Sequence, residues 1–342
     1  MRLLIALAIA TIALFASAYL TPSDFAQDYL AARAVLDHSD PNTRSTELAK
    51  RYGVPANAVT STQTAHPPLV TLVALPAAML AWPNARIVWE IGLAILTVVL
   101  VLVAEIHARD LILLSPAWIF GLALGNVDAV VICLALWALK GTTPRAAAWL
   151  GVATALKVYP ALLIVGLAVT RRYREAVLSA VVAATLTAVA TLLIGFDSLI
   201  GWLRFIPHNS DAFAVSMMNL SLTKVASLAG MKTAVVTMLG FIAVLMQRGK
   251  LGVDPLLPAI LAASPLSWLQ SLPLLSNRLS RSELRISFAC SLIMAASWMS
   301  GVRWASYLGV VASFTLTGLL LVVYLRIYKA QDKAQHSQST GT

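Results

Sequence analysis

The chain has 342 residues, of which 59% are hydrophobic and only 12% are charged. Soluble domains carry about 25% charged residues, so this composition excludes an ordinary soluble fold and predicts an all-α, polytopic membrane helical bundle. The net charge of +10 does not indicate nucleic acid, because the basic residues stand in short clusters between apolar segments. Such clusters are typical of the cytoplasmic loops of membrane proteins. Both cysteines, Cys133 and Cys290, lie inside apolar runs, which favours packing over a disulfide.

The first apolar segment follows a single basic residue, Arg2, and extends over Leu3–Leu20. Its length is close to the ~20 residues that span a bilayer, so we predict an uncleaved first membrane helix. A cleaved signal peptide is the open alternative, because the triplet Ala16–Ala18 resembles a signal peptidase site. Under both interpretations the chain that follows, including Asp24, emerges on the outer side of the membrane.

The segment Thr21–Ala65 is rich in acidic residues and contains an apolar-periodic stretch. It predicts one or two amphipathic helices at the outer membrane surface. Two of the acids, Asp24 and Asp28, are four residues apart, a spacing that costs a helix about a few tenths of a kcal/mol, so their presence favours a function. The next apolar run, Leu69–Trp82, is predicted to cross the membrane inward, with Pro83–Arg86 as an inner turn.

Three later apolar segments are interrupted by glycine, proline or polar residues. Interrupted helices at membrane depth are tolerated only where the backbone is covered by protein or faces a watery cavity. We interpret the second and third as short hairpins that dip in from the cytoplasm, or as kinked spans. The segments are Leu111–Lys140 with Gly125, Asn126 and Asp128, Ala146–Thr170 with Lys157 and Pro160, and Leu256–Leu275 with Pro265.

The chain between Asp197 and Ser221 is predicted to form a second outer loop, which holds His208 and Asn219. Further apolar spans follow, and no linker or second hydrophilic domain is evident. We therefore predict a single polytopic transmembrane catalytic domain over residues 1–328. Residues 329–342 are predicted to be a polar, disordered cytoplasmic tail.

A few polar residues carry the candidate chemistry. A carboxylate near the apolar boundary, such as Asp24, loses solvation and becomes a stronger general base. Lys157 interrupts an apolar run, where a buried cation is energetically costly and suggests a function. A phosphate group of a substrate would satisfy this cation. The structural alternative is an ion pair with Asp128. His66 lies on the same side of the membrane as Asp24, and Asn126 could orient Lys157 or satisfy a broken helix end.

No Walker motif, GxSxG, HExxH or metal-spaced Cys/His cluster occurs in the sequence. A soluble nucleotide-binding unit is also lacking. This argues against a nucleotide-sugar donor and for a lipid-borne one. We expect no cofactor, and a divalent cation stays open.

Six motifs, in this order along the chain, resemble those of glycosyltransferase family 87, part of the GT-C superfamily of polytopic enzymes that use polyprenyl-phosphate sugars. The family's opening has the form D-F-x-x-Y-Y-x-A-A. Asp28 stands where a tyrosine is usual, and Leu269 and Gln270 stand where an acidic residue and a histidine are frequent. The six motifs here are DFAQDYLAARAVLDHSDPN, HPPLVTLVALP, GNVDAVVICLALWAL, GVATALKVYPALLIVGLAVTRRYREA, NLSL and SPLSW.

The resemblance implies a helical bundle whose outer-surface amphipathic helices roof an active site. It implies Asp24 as the catalytic base of an inverting hexosyltransferase, with mannose as the favoured sugar. The expected partners are a polyprenyl-phosphate-linked sugar donor, a glycolipid or polysaccharide acceptor, and membrane lipids. The residues expected to bind substrate are Asp28, Tyr29, His66, Asn126, Lys157, Tyr159, His208 and Asn219.

Two other classes of function stay open. A lipid or sugar transporter or flippase would also use broken helices and an intramembrane lysine, although no inverted repeat is visible. A non-catalytic relative that binds a polyprenyl lipid would explain the departure after Trp268. In all three cases we expect a multi-pass protein of the cell membrane, with its site facing the outside or the periplasm.

Overall fold

The computed structural model describes residues 1–20, 23–141, 143–214, 216–246, 256–264, 268–300 and 303–339. These residues form helices and contain no strand, as the composition predicts. Short 3₁₀ turns cover Ala56–Ala58 and Leu269–Leu275. The α-helices are α1 (Arg2–Tyr19), α2 (Ser23–Leu36), α3 (Ser45–Tyr52), α4 (Pro68–Ala78), α5 (Trp82–Val103), α6 (Ala108–Leu113), α7 (Ser115–Ala123), α8 (Asp128–Lys140), α9 (Pro144–Leu156), α10 (Ala161–Val169), α11 (Tyr173–Ile194), α12 (Phe196–Ala214), α13 (Leu222–Leu228), α14 (Thr233–Met246), α15 (Leu256–Ala263), α16 (Arg281–Ser300) and α17 (Arg303–Ser339).

Four helices of the described chain are long and apolar enough to cross a membrane. They are α1, α5, α11 and the Ala305–Gln331 part of α17. Each exposes large apolar side chains, among them Phe15 and Leu192, as helices do where they face lipid. The expectation of a polytopic all-α membrane bundle is therefore confirmed.

The long helices define two ends of the bundle. Near one end the Ser17 hydroxyl of α1 donates to Glu90 of α5 at 2.6 Å. At the other end Lys140 pairs with Glu105 at 3.0 Å. Helices α1 and α5 are antiparallel, because Ser17 near the end of α1 bonds to Glu90 in the first half of α5, while Glu105 just beyond α5 interacts electrostatically with Arg2 at the start of α1.

The second of these ends collects basic residues from distant parts of the chain. Arg172 donates to the Gly141 carbonyl at 2.7 Å, and Arg326 pairs with Glu283 at 2.9 Å. His107 and Asn277 tie the α5–α6 link to the segment before α16 through a 3.0 Å bond. We call this the basic end; the opposite one, which holds α2, is the α2 end.

The helix α4 does not cross the membrane, so the prediction for Leu69–Trp82 is wrong. It has 11 residues and is therefore roughly 16 Å long, about half of the ~30 Å hydrocarbon core. It packs beside α2 instead, where Tyr29 donates to the Leu80 carbonyl at 3.1 Å and Arg33 to Ala78 at 3.0 Å. The turn before α5 and Pro83–Arg86 consequently lie at the α2 end, not on the inner side.

The helix α2 is buried on nearly all of its faces. Its Phe25 ring stacks on Trp89 at 4.8 Å and on Trp82 at 5.7 Å, and Tyr29 meets Trp82 edge-on at 5.2 Å. The prediction of an amphipathic surface helix fits α3, which buries only Ser45, Leu48 and Ala49. It does not fit α2. Helix α2 is covered because α4 and the aromatic rings of α5 pack over it.

The predicted interruptions of the apolar segments are confirmed in the first two. Helix α7 ends at Ala123 and α8 begins at Asp128, while α9 ends at Leu156 and α10 begins at Ala161. In the third, α15 ends at Ala263 and residues 265–267, including Pro265, lie outside the described residues. The tail prediction needs a correction, because α17 continues through residues 329–339 as a helix rather than disordered chain.

The break between α7 and α8 anchors the first turn of α2. Gly125 adopts a left-handed backbone (φ 70°), and the carbonyl of the preceding Leu124 accepts the backbone N–H groups of Asp24 and Phe25 at 3.2 and 3.3 Å. The Gly125 carbonyl accepts the Trp89 indole N–H at 2.9 Å. A Cβ atom on Gly125 would lie 2.7 Å from the Phe25 Cβ.

Replacing Gly125 with alanine is expected to destabilise the protein more than the same change at Gly53. Both glycines have φ near 70°, where alanine costs about 1–2 kcal/mol, but only Gly125 also has a close neighbour; nothing lies within 4 Å at Gly53. Thermal unfolding of the two detergent-solubilised variants measures the difference. Equal melting temperatures would show that α2 does not depend on this close packing.

Candidate active site

A cavity of about 410 Å³ opens where the broken helices meet α2. Its wall combines the first turn of α2, the loop that precedes α4, the α7–α8 and α9–α10 breaks, and the segment that starts at Trp268. Most of the lining is apolar. The acidic, basic and imidazole side chains that line it are Asp24, Asp128, Lys157 and His66.

Asp24 lies in the first turn of α2, where the helix dipole favours a negative charge. Its carboxylate accepts a hydrogen bond from the Asn126 amide. Burial raises the pKa of Asp24 above its ordinary value, while His66, Lys157 and the Asn126 hydrogen bond act in the opposite direction. Asp24 is thus a carboxylate in an apolar wall with positive charge nearby, a combination that suits a general base.

Lys157 lies at the C-terminal end of α9, where the helix breaks. Its ammonium group pairs with Asp128 at 3.2 Å, and both side chains are largely withdrawn from solvent. The pairing that the sequence offered as the structural alternative is therefore present. Lys157 also lines the cavity, so the ion pair and a role toward a ligand are compatible.

Asn126 links the start of α8 to the Asp24 carboxylate. Its side-chain oxygen accepts the backbone N–H of Asp128 at 2.8 Å, and its amide donates to Asp24. Asn126 therefore both caps α8 and orients the Asp24 carboxylate. Tyr159, two residues beyond Lys157, is buried and lines the same cavity.

Asp28 and His66 form a buried pair behind Asp24. The His66 Nδ1 atom lies 2.9 and 2.8 Å from the two carboxylate oxygens of Asp28, and Thr64 donates to the same carboxylate at 3.1 Å. Because Nδ1 faces Asp28, the other ring nitrogen of His66 is the one free to face the cavity. Asp28 therefore positions His66 and does not itself line the cavity.

The structure brings together five of the nine predicted site residues: Asp24, His66, Asn126, Lys157 and Tyr159. Tyr29 lies behind α2, where its hydroxyl bonds to Leu80. Asn219 is fully buried and donates to the Ala214 carbonyl at 3.0 Å. Neither lines the cavity, because both are used to hold neighbouring backbone. The side chain of His208 lies outside the described residues.

Several cavity residues were not predicted from the sequence. Trp268 and Phe213 meet edge-on at 6.0 Å, as Phe120 and Trp298 do at 6.4 Å. Gln270 also lines the cavity. The SPLSW motif pointed to this region, but apolar and amide side chains inside apolar runs carry no signal of their own.

Groups of three or more His, Cys, Asp or Glu side chains that could hold a metal ion are absent among the described residues. The acids of the cavity instead face an ammonium group, an imidazole and an amide.

The change Asp28→Asn is expected to lower the stability of the protein by about 1–3 kcal/mol, because it weakens a buried carboxylate contact to His66 and Thr64. Asp37→Asn, just beyond the end of α2, is the matched control, since Asp37 is exposed and makes only a 4.0 Å contact with Arg33. Thermal unfolding in detergent compares the two. If both variants melt alike, Asp28 does not hold His66 in place.

A family model for glycosyltransferase family 87 matches residues 64–263 of the chain. The matched range contains His66, the α7–α8 break and the α9–α10 break, and it ends in α15. No curated protein and no solved structure matches the chain closely enough to be compared with it.

Proposed function

Because this chain belongs to glycosyltransferase family 87, we propose that its cavity moves a hexose from a polyprenyl-phosphate donor to a glycolipid or polysaccharide acceptor. Mannose is the sugar that the resemblance of the motifs favours. The observation that carries the proposal is that one cavity holds a partly buried carboxylate, Asp24, together with a partly buried ammonium group, Lys157.

Asp24 is the proposed general base. The acceptor hydroxyl gives its proton to the Asp24 carboxylate while its oxygen bonds to the anomeric carbon of the donor sugar. The bond between that carbon and the phosphate oxygen breaks, and its electron pair leaves with the phosphate. One displacement inverts the anomeric configuration, and the phosphate leaves without a general acid.

Lys157 is the proposed partner of the departing phosphate. Its ammonium group is fixed by Asp128 at 3.2 Å, so it is oriented before the charge on the phosphate develops. His66, held by Asp28, offers a second polar group in the same cavity. Asn126 keeps the Asp24 carboxylate in place during the proton transfer.

Two further features support the lipid-borne donor and the outer location of the site. The cavity is lined mostly by apolar side chains such as Leu124 and Leu162, which suit a polyprenyl chain. The basic end lies opposite to α2, and basic residues collect on the cytoplasmic side of membrane proteins. We therefore place the cavity toward the outside or the periplasm.

The variant Asp24→Asn is expected to lower sugar transfer by at least about a hundredfold, the usual contribution of a general base, while the protein still folds and inserts. The assay supplies purified protein in nanodiscs with radiolabelled polyprenyl-phosphomannose and membrane lipids from the source. Asp37→Asn, which changes an exposed acid near α2, is expected to retain the activity.

Each outcome of this assay has a distinct meaning. A labelled glycolipid made by wild type and Asp37→Asn but not by Asp24→Asn supports the reaction and the base. Substantial turnover by Asp24→Asn would refute the role of Asp24. Saturable lipid binding without any product would favour the non-catalytic relative, and movement of the donor without a covalent product would favour a transporter.

The pH dependence of transfer provides a separate check. The base must be ionised, and burial raises the pKa of Asp24. Activity should therefore fall on acidification at a higher pH than an ordinary aspartate would give. Asn126→Leu removes a hydrogen bond that lowers the pKa of Asp24. The acid limb of the pH profile of kcat/KM should therefore move to still higher pH in this variant. A limb that stays in place or moves to lower pH contradicts the assignment.

A further inference from the structure

The cavity contains an uncharged region that the proposed reaction does not use. It is formed by Gln270 and the aromatic side chains of Phe120, Phe213, Trp268 and Trp298. The acidic, basic and imidazole groups come from other elements, namely the first turn of α2, the loop before α4 and the two helix breaks. The cavity therefore has a charged part and a neutral part.

Gln270 is the one amide side chain in this neutral part, and it is 6% exposed. Its side-chain oxygen is buried and has no hydrogen-bond partner among the described residues. Leaving such an acceptor unpaired is unfavourable, so this oxygen is a candidate to accept a hydrogen bond from a ligand in the cavity. A hydroxyl group is a neutral donor that suits the uncharged surroundings.

The backbone that carries Gln270 is rigidly held. Leu269 donates its N–H to the Met218 carbonyl at 2.9 Å, and Trp268 forms an antiparallel bridge with Asn219. The side chain of Asn219 accepts the backbone N–H of Ser221 at 3.1 Å. The position of Gln270 is thus determined before any ligand enters the cavity, which favours selective binding.

Helix α7 leaves room for Gln270 by means of a glycine. A Cβ atom on Gly121 would lie 2.8 Å from the Gln270 Cβ, so any larger residue there would displace the glutamine. The stem of Gln270, which lines the cavity, is therefore held between its own backbone and α7.

We infer that Gln270 is a specificity-determining residue that accepts a hydrogen bond from one hydroxyl group of the donor hexose, with Trp268 as the apolar surface beneath the sugar ring. This rests on the proposed function. The faces of a hexose carry C–H groups, which suit an aromatic ring, and its edges carry hydroxyls, which suit an amide. A site built to bond a hydroxyl discriminates strongly against a substrate that lacks it.

The test compares wild type with Gln270→Met, which keeps the length of the side chain but removes its hydrogen bonds. Both are assayed with polyprenyl-phosphomannose and with donors that lack one hydroxyl at position 2, 3, 4 or 6. Wild type should discriminate about ten- to a hundredfold against one deoxy donor. Gln270→Met should lower transfer from the donors that carry this hydroxyl and leave transfer from that one deoxy donor unchanged, so that the discrimination disappears. Gln331→Met, in α17 toward the basic end, is the matched control and should behave as wild type.

A purely structural role of Gln270 would lower transfer from all donors alike, and that pattern would overturn the inference. Gly121→Ala serves as a second variant, because it displaces Gln270 without removing it; it should weaken discrimination against the same deoxy donor. If Gln270→Met keeps the wild-type ratios of transfer rates between the mannose donor and the deoxy donors, Gln270 does not bind the sugar hydroxyl.

A binding measurement separates this inference from the proposed function. If no transfer occurs, the proposed function fails, and the affinities of polyprenyl-phosphomannose and polyprenyl phosphate are compared by tryptophan fluorescence. Wild type should bind polyprenyl-phosphomannose about tenfold or more tightly than polyprenyl phosphate. For Gln270→Met the difference between the two affinities should be smaller. An equal sugar contribution in both proteins would overturn the inference on its own.

Discussion

The ion pair between Lys157 and Asp128 is the constraint on which the site depends. A lone charge in an apolar membrane bundle is highly unfavourable, and a pair remains so unless its other hydrogen-bonding groups are satisfied. Here the pair, 3.2 Å apart, joins the α7–α8 break to the α9–α10 break, and the cavity opens beside it. The interrupted helices, the cavity and the ion pair therefore occur together, because interrupted helices in a membrane protein are tolerated where protein covers the backbone or a watery cavity meets it.

The docking of α2 on the α7–α8 break places the acid beside this pair. The Leu124 carbonyl accepts backbone N–H groups of α2, and Asn126 reaches the Asp24 carboxylate. The stacking of Phe25 on Trp89 and Trp82 fixes the other side of the helix. Because so much of α2 is buried, Asp24 is held by a rigid element rather than by a mobile loop, which suits a group that must meet a reacting atom.

The two acids of α2 have different environments and so different roles. Asp24 faces the cavity, where burial raises its pKa. Asp28, one turn later, faces the protein and is used by His66 and Thr64. A spacing of four residues puts both acids on similar faces of the helix, yet the loop before α4 covers only the second. Asp24 therefore lines the cavity, whereas Asp28 positions His66, which lines it.

The sequence by itself determined the membrane class and the first two helix breaks, and it named Asp24, Lys157 and Asn126, which line one cavity. These features are local: a charge or glycine inside an apolar run is visible without knowledge of its neighbours, because its cost in lipid is independent of them. The same local information misplaced α4, which packs along α2. Its helix proved to have only 11 residues, too few to cross.

The tertiary structure alone decided which residues meet. Asn126 and Asp24 are in contact although 102 positions separate them, and His66 and Asp28 although 38 positions do. A single sequence does not show which residues so far apart along the chain lie together. Tyr29 and Asn219 have the residue types of ligand-binding groups, but their hydrogen-bonding capacity is used by nearby carbonyls. Gln270 became visible only as a buried acceptor without a partner among the described residues, because an unsatisfied group is defined by its surroundings and not by its residue type.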